Sequence, residues 1–142
     1  MRFIVAWLCV GLAGCGILDA EPVILPLEFN SEVVSPPVEH TAHASGEVRE
    51  MVVEGTFSGV PEGHVLDIYA QKLTATEYAF FVRAIPMGLG RQGPSGAALR
   101  YRGVLRNVRP GTYVIHLSHY VSGPAPPEAE TILEDAVVRV SS

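Results

Sequence analysis

Leu105-Arg106-Asn107-Val108-Arg109-Pro110-Gly111-Thr112-Tyr113-Val114-Ile115 contains the end of one strand, a corner and the start of the next. Before the corner, Leu99, Tyr101, Gly103 and Leu105 alternate with Ala98, Arg100, Arg102 and Val104. After it, Tyr113, Ile115 and Leu117 alternate with Val114, His116 and Ser118. A period of two puts successive side chains on opposite faces of an extended chain, with one face apolar. Between the runs, Pro110 presets φ for the first corner of a type II turn, and Gly111 accepts the positive φ of the second. Tyr113 is then expected to pack at the corner where its strand begins.

The same alternation extends in both directions. Met51, Val53, Gly55 and Phe57 form one apolar face; Leu66, Ile68 and Ala70 form another, as do Tyr78, Phe80 and Val82. Ala136, Val138 and Val140 close the chain. Gly, Pro and Asn punctuate the runs, and no window has helical periodicity. Strands with one apolar face need a second sheet to cover it. The expected fold is all-β: an antiparallel immunoglobulin-like or prealbumin-like sandwich of about six to seven strands. The corner segment itself resembles the L-x-x-v-x-P-G-x-Y-x-l string of prealbumin-like and carboxypeptidase-regulatory-like sandwiches. That likeness implies a fold and no particular activity.

The composition suits one such domain. The chain has 142 residues, 48% of them hydrophobic and 18% charged, with a formal net charge of −5. That length supports one core, and the apolar content is too high for a disordered chain. The negative charge argues against nucleic acid as a partner.

The N-terminus has the pattern of a processing signal. Arg2 supplies a positive charge, and Phe3 to Val10 is an apolar run of eight residues. That run is shorter than the roughly 20 residues a spanning helix needs. Leu12-Ala13-Gly14-Cys15 follows, which resembles the lipobox of bacterial lipoproteins at every position. The resemblance implies cleavage before Cys15 and a lipid on its thiol. Cys9 and Trp7 would leave with the signal, so no internal disulfide can form. Several acyl chains hold a protein stably where one alone is marginal. Gly16, in place of the aspartate associated with inner-membrane retention, points to the outer membrane. The domain plan is therefore a signal peptide at 1–14, an acylated Pro-rich tether at 15–46 and a sandwich at 47–142. Pro22, Pro26, Pro36 and Pro37, interspersed with glutamates, favour an extended tether. A short edge strand around Val23–Phe29 is the one pairing expected there.

Candidate sites are few. Gly88-Leu89-Gly90-Arg91-Gln92-Gly93 matches G-x-G-x-x-G, but Pro94-Ser95-Gly96 follows it where a phosphate-binding helix would have to begin. No nucleotide or other cofactor is expected. Ser95 lacks the final glycine of G-x-S-x-G, and no catalytic set is legible, so the chain reads as a non-enzyme. His40 and His43 are the candidate metal ligands; His116 and His119, at odd spacing on one strand, point to opposite faces. From Arg83 to Arg109 there are six arginines and no Asp or Glu. Arg91, Arg100 and Arg102 form a candidate basic interaction surface for an acidic partner, set against cross-strand pairing with Glu50 and Glu54.

These features describe an expectation. The chain is a lipid-anchored lipoprotein of the bacterial envelope, facing the periplasm from the outer membrane, with membrane contact through the lipid at Cys15. Its sandwich docks an envelope protein as an accessory or assembly module. The alternative is a module binding envelope polysaccharide or metal, with an envelope hydrolase as the third reading.

Overall fold

The computed structural model describes residues 23–25, 27–34, 39–87, 97–122 and 129–142. They form nine strands: β1 (Ile24–Leu25), β2 (Glu28–Val34), β3 (Thr41–Glu47), β4 (Glu50–Val60), β5 (His64–Thr74), β6 (Glu77–Pro86), β7 (Ala97–Arg106), β8 (Gly111–Val121) and β9 (Glu130–Val140). One sheet has the order β1-β5-β6-β8-β9 and the other the order β2-β7-β4-β3. The fold is an all-β sandwich, as the alternation required.

The alternating positions bury as a set. Met51, Val53 and Phe57 of β4, Leu66, Ile68 and Ala70 of β5, and Phe80 and Val82 of β6 meet Leu99, Tyr101 and Leu105 of β7, Ile115 and Leu117 of β8, and Val138 and Val140 of β9. Removing these side chains from water is the main favourable contribution to folding.

Three features differ from the expectation. Nine strands are present rather than six or seven, because the stretch assigned to the tether pairs into both sheets. Ile24 lies opposite Gln71 in β5, Glu28–Val34 runs beside β7, and Thr41–Glu47 runs beside β4. Prolines block pairing only where they sit, and the segments between them carry enough β-formers to complete the sheets. The second difference is that β6 and β8 pair in parallel, since β7 crosses to the other sheet between them. The third lies at the Pro-Gly corner. The left-handed residue there is Asn107, at φ 60°, while Gly111 opens β8 at a nearly extended φ of 158°. A chain passing from one sheet to the other makes no hairpin reversal, so a tight type II turn is not needed. Tyr113 does pack at the corner: it is buried, and its hydroxyl donates to the Arg109 carbonyl at 2.6 Å. This is the arrangement of a tyrosine corner.

Both sides of the sandwich are tied. On one, the chain leaves the five-stranded sheet after Leu25 and joins the four-stranded sheet at Glu28. On the other, the Ser141 amide donates to Glu47 O at 3.1 Å and the Arg49 amide to Ser141 O at 2.9 Å. β3 approaches β9 so closely that a Cβ on Gly46 would collide with the Arg139 carbonyl.

Candidate functional site

The outer face of the four-stranded sheet carries alternating charge. Its side chains are the ones left over when Leu99, Tyr101, Gly103 and Leu105 turn inward. The register sets Glu32 beside Arg100, Asn30 and Glu54 on either side of Arg102, and Glu50 beside Arg106. Arg100 reaches Glu32 at 3.1 Å. Arg106 holds Glu28 and Glu50 at 2.7 Å each. Arg102 lies 4.0 Å from Glu47. The hydrogen bond that Arg106 donates to Glu28, followed by the charges of Glu28 and Glu50, pushes its guanidinium further up. Across this face opens a groove of about 590 Å³ lined by Asn30, Glu32, His43, Glu54, Arg100 and Arg102 among others.

The cross-strand pairing set against a basic surface is what the register gives, with Glu50 beside Arg106 and Glu54 opposite Arg102. Arg100 and Arg102 share the face, but carboxylates from three other strands stand among them. Glu28 and Glu32 come from β2, distant in sequence, so no local count of charge revealed them. Exposed pairs of this kind add little to stability, because water screens them and holding two long side chains costs entropy. They are free to exchange one carboxylate for another.

A second polar assembly is buried between the sheets. His119 continues the inward series Tyr113, Ile115, Leu117 and is 2% exposed. Its Nε2 lies 2.7 Å from the Tyr101 hydroxyl, and its Nδ1 lies 3.0 Å from His40 Nδ1. The Ser58 amide donates to that same His40 Nδ1 at 3.2 Å. One set of proton positions satisfies all three contacts. His40 Nδ1 accepts, so its proton is on Nε2, which faces Glu130 at 3.8 Å. His119 donates from Nδ1 and accepts from Tyr101 at Nε2. In this arrangement each ring nitrogen of the two histidines has one role, as donor or as acceptor. Burial, followed by the neighbouring His40, pushes His119 down to about 3. Burial also raises the Tyr101 hydroxyl. Phe57 stacks on His119 with ring centroids 4.8 Å apart. Among the described residues no buried side-chain nitrogen or oxygen lacks a partner. The chemistry this assembly supports is a fixed hydrogen-bond chain between the sheets, closed off from solvent at its Tyr101 end.

The candidate metal pair is not brought together. His40 turns in to His119, whereas His43 is exposed on the outer face opposite Glu54. A separation of three residues along an extended chain sends them to opposite sides. Among the described residues no group of three or more His, Cys, Asp or Glu side chains gathers as a metal site.

His116 and His119 do face opposite ways. His116 Nε2 contacts Glu77 at 2.6 Å, and its Nδ1 is 3.7 Å from Asp135, on the outer face of the five-stranded sheet. On the same face Tyr69 stacks on Phe81 at 5.0 Å, and the Tyr69 and Tyr120 hydroxyls lie 3.0 Å apart. Arg83 lies 5.2 Å above Tyr69 and pairs with Asp67 at 2.6 Å. Burial and the Tyr120 hydroxyl push Tyr69 up to about 12. The Tyr69 ring is thus packed against Phe81 and Arg83 of the neighbouring strand.

Cys15, the Gly88–Gly93 motif with Arg91, and Ser95 lie outside the described residues. Sequence reasoning missed the His40–His119–Tyr101 assembly. The inward parity of His119 was a usable signal for one member, but nothing local points His40 at it. No protein-family model matches the chain, and no curated protein or solved structure does either.

Proposed function

We propose that the chain is a bacterial envelope lipoprotein, acylated at Cys15 and facing the periplasm from the outer membrane. On this reading its sandwich acts without catalysis, by docking a protein partner. The observation that carries it is the open groove on the outer face of the four-stranded sheet. There Arg100 and Arg102 stand beside Glu32 and Glu54 with no element of the described chain laid across them. A face of interspersed charges recognises a protein surface of complementary pattern. It steers the encounter and fixes the register more than it adds affinity. The buried His40–His119–Tyr101 chain holds β3, β4, β7 and β8 together beneath the groove and keeps that face rigid.

The test places a photo-crosslinking side chain at Thr41 or Glu54 in the groove, and at Glu134 on β9 as a control, in the full chain in intact envelopes. One stoichiometric adduct from the groove positions, absent at Glu134 and lost in Arg100→Glu/Arg102→Glu, supports docking. Identical adducts from both faces, or adducts unchanged by the charge reversal, overturn it. The mass of the mature chain reports separately on the lipid at Cys15.

A further inference from the structure

The strands give the sandwich two distinct ends. At one end lie the entry to β1, the β3–β4 turn, the β5–β6 turn, the β7–β8 corner and the finish of β9. Ile24 pairs with Gln71, Glu77 with Val114, Gly111 with Val140 and Glu50 with Arg106. The Val108 amide donates to Arg49 O at 3.0 Å and the Val114 amide to Thr76 O at 2.9 Å. This end carries exposed Arg49, Lys72, Arg109 and Arg139. Among the described residues none of these four has a carboxylate within ion-pair distance. The carboxylates nearby sit further up the strands and are already engaged: Glu28 and Glu50 by Arg106, Glu77 by His116, and Glu47 near Arg102. The opposite end carries Glu39, Glu62 and Glu130, with no Lys or Arg among its described residues.

Exposed large apolar side chains lie at both ends, Val33, Val65 and Val121 toward the acidic one, but the most open lie toward the other. The four large ones most open to solvent among the described residues are Val137, Val23, Ile24 and Val48, between 63% and 71% exposed. All four lie toward the cationic end, and Leu73 is half exposed beside Ile24.

The chain enters at this end. From Cys15 to Val23 there are eight Cα steps, which reach about 28 Å when fully extended. β4 alone, at 11 residues, is about 36 Å long. A lipid on Cys15 therefore keeps the cationic, apolar end next to the bilayer at a high effective concentration. The linker itself carries Asp19 and Glu21, so the cations that matter are those on the loops around it.

We infer that the end of the sandwich bearing Arg49, Lys72, Arg109 and Arg139 docks onto the surface of the leaflet that holds the Cys15 lipid. Cations at that end meet headgroup phosphates, and Val23, Ile24, Val48 and Leu73 enter the interface. The groove on the four-stranded sheet then runs away from the membrane and stays open to a protein partner. This inference rests on the lipid-anchor reading proposed above.

The experiment uses the full mature, acylated chain in vesicles of phosphatidylethanolamine with a minority of phosphatidylglycerol. With Cys9 removed and Cys15 acylated, a cysteine introduced as Leu73→Cys or as Glu62→Cys is the sole free thiol for an environment-sensitive dye. The dye at position 73 is expected to shift to the blue and to be quenched by spin-labelled lipid several-fold more than the dye at position 62. Lys72→Glu/Arg109→Glu/Arg139→Glu and high salt are expected to abolish that difference. Equal quenching at both positions, on protein whose mass includes the acyl chains, overturns the docking and leaves the anchor standing. Quenching that survives the charge reversal overturns the role of the cations. A mature chain with an unmodified Cys15 overturns anchor and docking together.

Discussion

Tyr101 of β7 stands directly opposite Gly55 of β4, and its hydroxyl occupies the space a side chain on Gly55 would need. A Cβ there would lie 2.7 Å from that hydroxyl and would collide with the Thr41 carbonyl of β3. The missing side chain is what lets the tyrosine hydroxyl reach His119 at 2.7 Å. Gly55→Ala is expected to destabilise the fold by about 1–3 kcal/mol, the range for overpacking a well-filled site. The urea midpoint measures it. An unchanged midpoint would show that β3 is not packed against β4 as described.

Removing the hydroxyl tests the other side of the same contact. Tyr101→Phe leaves the buried His119 Nε2 with no donor, at a cost of about 1–3 kcal/mol. Tyr78→Phe is the control, because the Tyr78 hydroxyl makes no hydrogen bond among the described residues. Thermal denaturation of the two variants should separate them clearly. Equal losses would mean that the Tyr101–His119 bond contributes nothing beyond its ring.

His119 makes stability depend on pH in a defined window. Its folded value is pushed down to about 3, against an unfolded value of 6.5. Between these values the unfolded chain binds the extra proton, so stability falls as pH falls. The contribution is complete above pH 6.5 and is lost progressively down to about pH 3, at about 1.4 kcal/mol per pH unit. The largest cause is burial of the ring, followed by the neighbouring His40. Unfolding free energies measured from pH 7 downward should show this slope, and His119→Phe should remove it. A wild-type curve no steeper than that of the variant would mean the imidazole is not held neutral.

The core was legible because burial on a sheet follows parity, and parity is local. Met51, Val53, Phe57, Leu66, Ile68, Phe80, Tyr101 and Ile115 all lie inward, as the alternation requires. His119 obeyed the same parity, but its partner did not: His40 precedes its strand, and only the pairing of β3 with β4 brings it across to β8. The charged face was legible only in part, in its pairing with Glu50 and Glu54. The arginines from Arg83 to Arg109 look unbalanced along the chain, while Glu28 and Glu32 reach them only through the register of β2. β2 itself was hidden by flanking prolines. A proline pattern reports where backbone donors are missing; it does not report whether the residues between can pair.

Asn107 provides the sharpest test of the corner, because two substitutions there should act in opposite directions. At φ 60° it lies in the left-handed region, where Asn is tolerated and Gly is free. Its neighbours fix that geometry from both sides. The Val108 amide reaches the Arg49 carbonyl in the β3–β4 turn at 3.0 Å, and the Tyr113 hydroxyl holds the Arg109 carbonyl at 2.6 Å. The backbone therefore cannot relax away from positive φ without giving up one of these bonds. Asn107→Val places a β-branched side chain in that region and should cost at least about 1–2 kcal/mol. Asn107→Gly should leave stability within about 0.5 kcal/mol, the relief of backbone strain offsetting the added freedom of the unfolded chain. Denaturant unfolding of the pair decides the matter. If valine is tolerated as well as glycine, the chain turns this corner at the Pro110-Gly111 pair, and the left-handed residue is not Asn107.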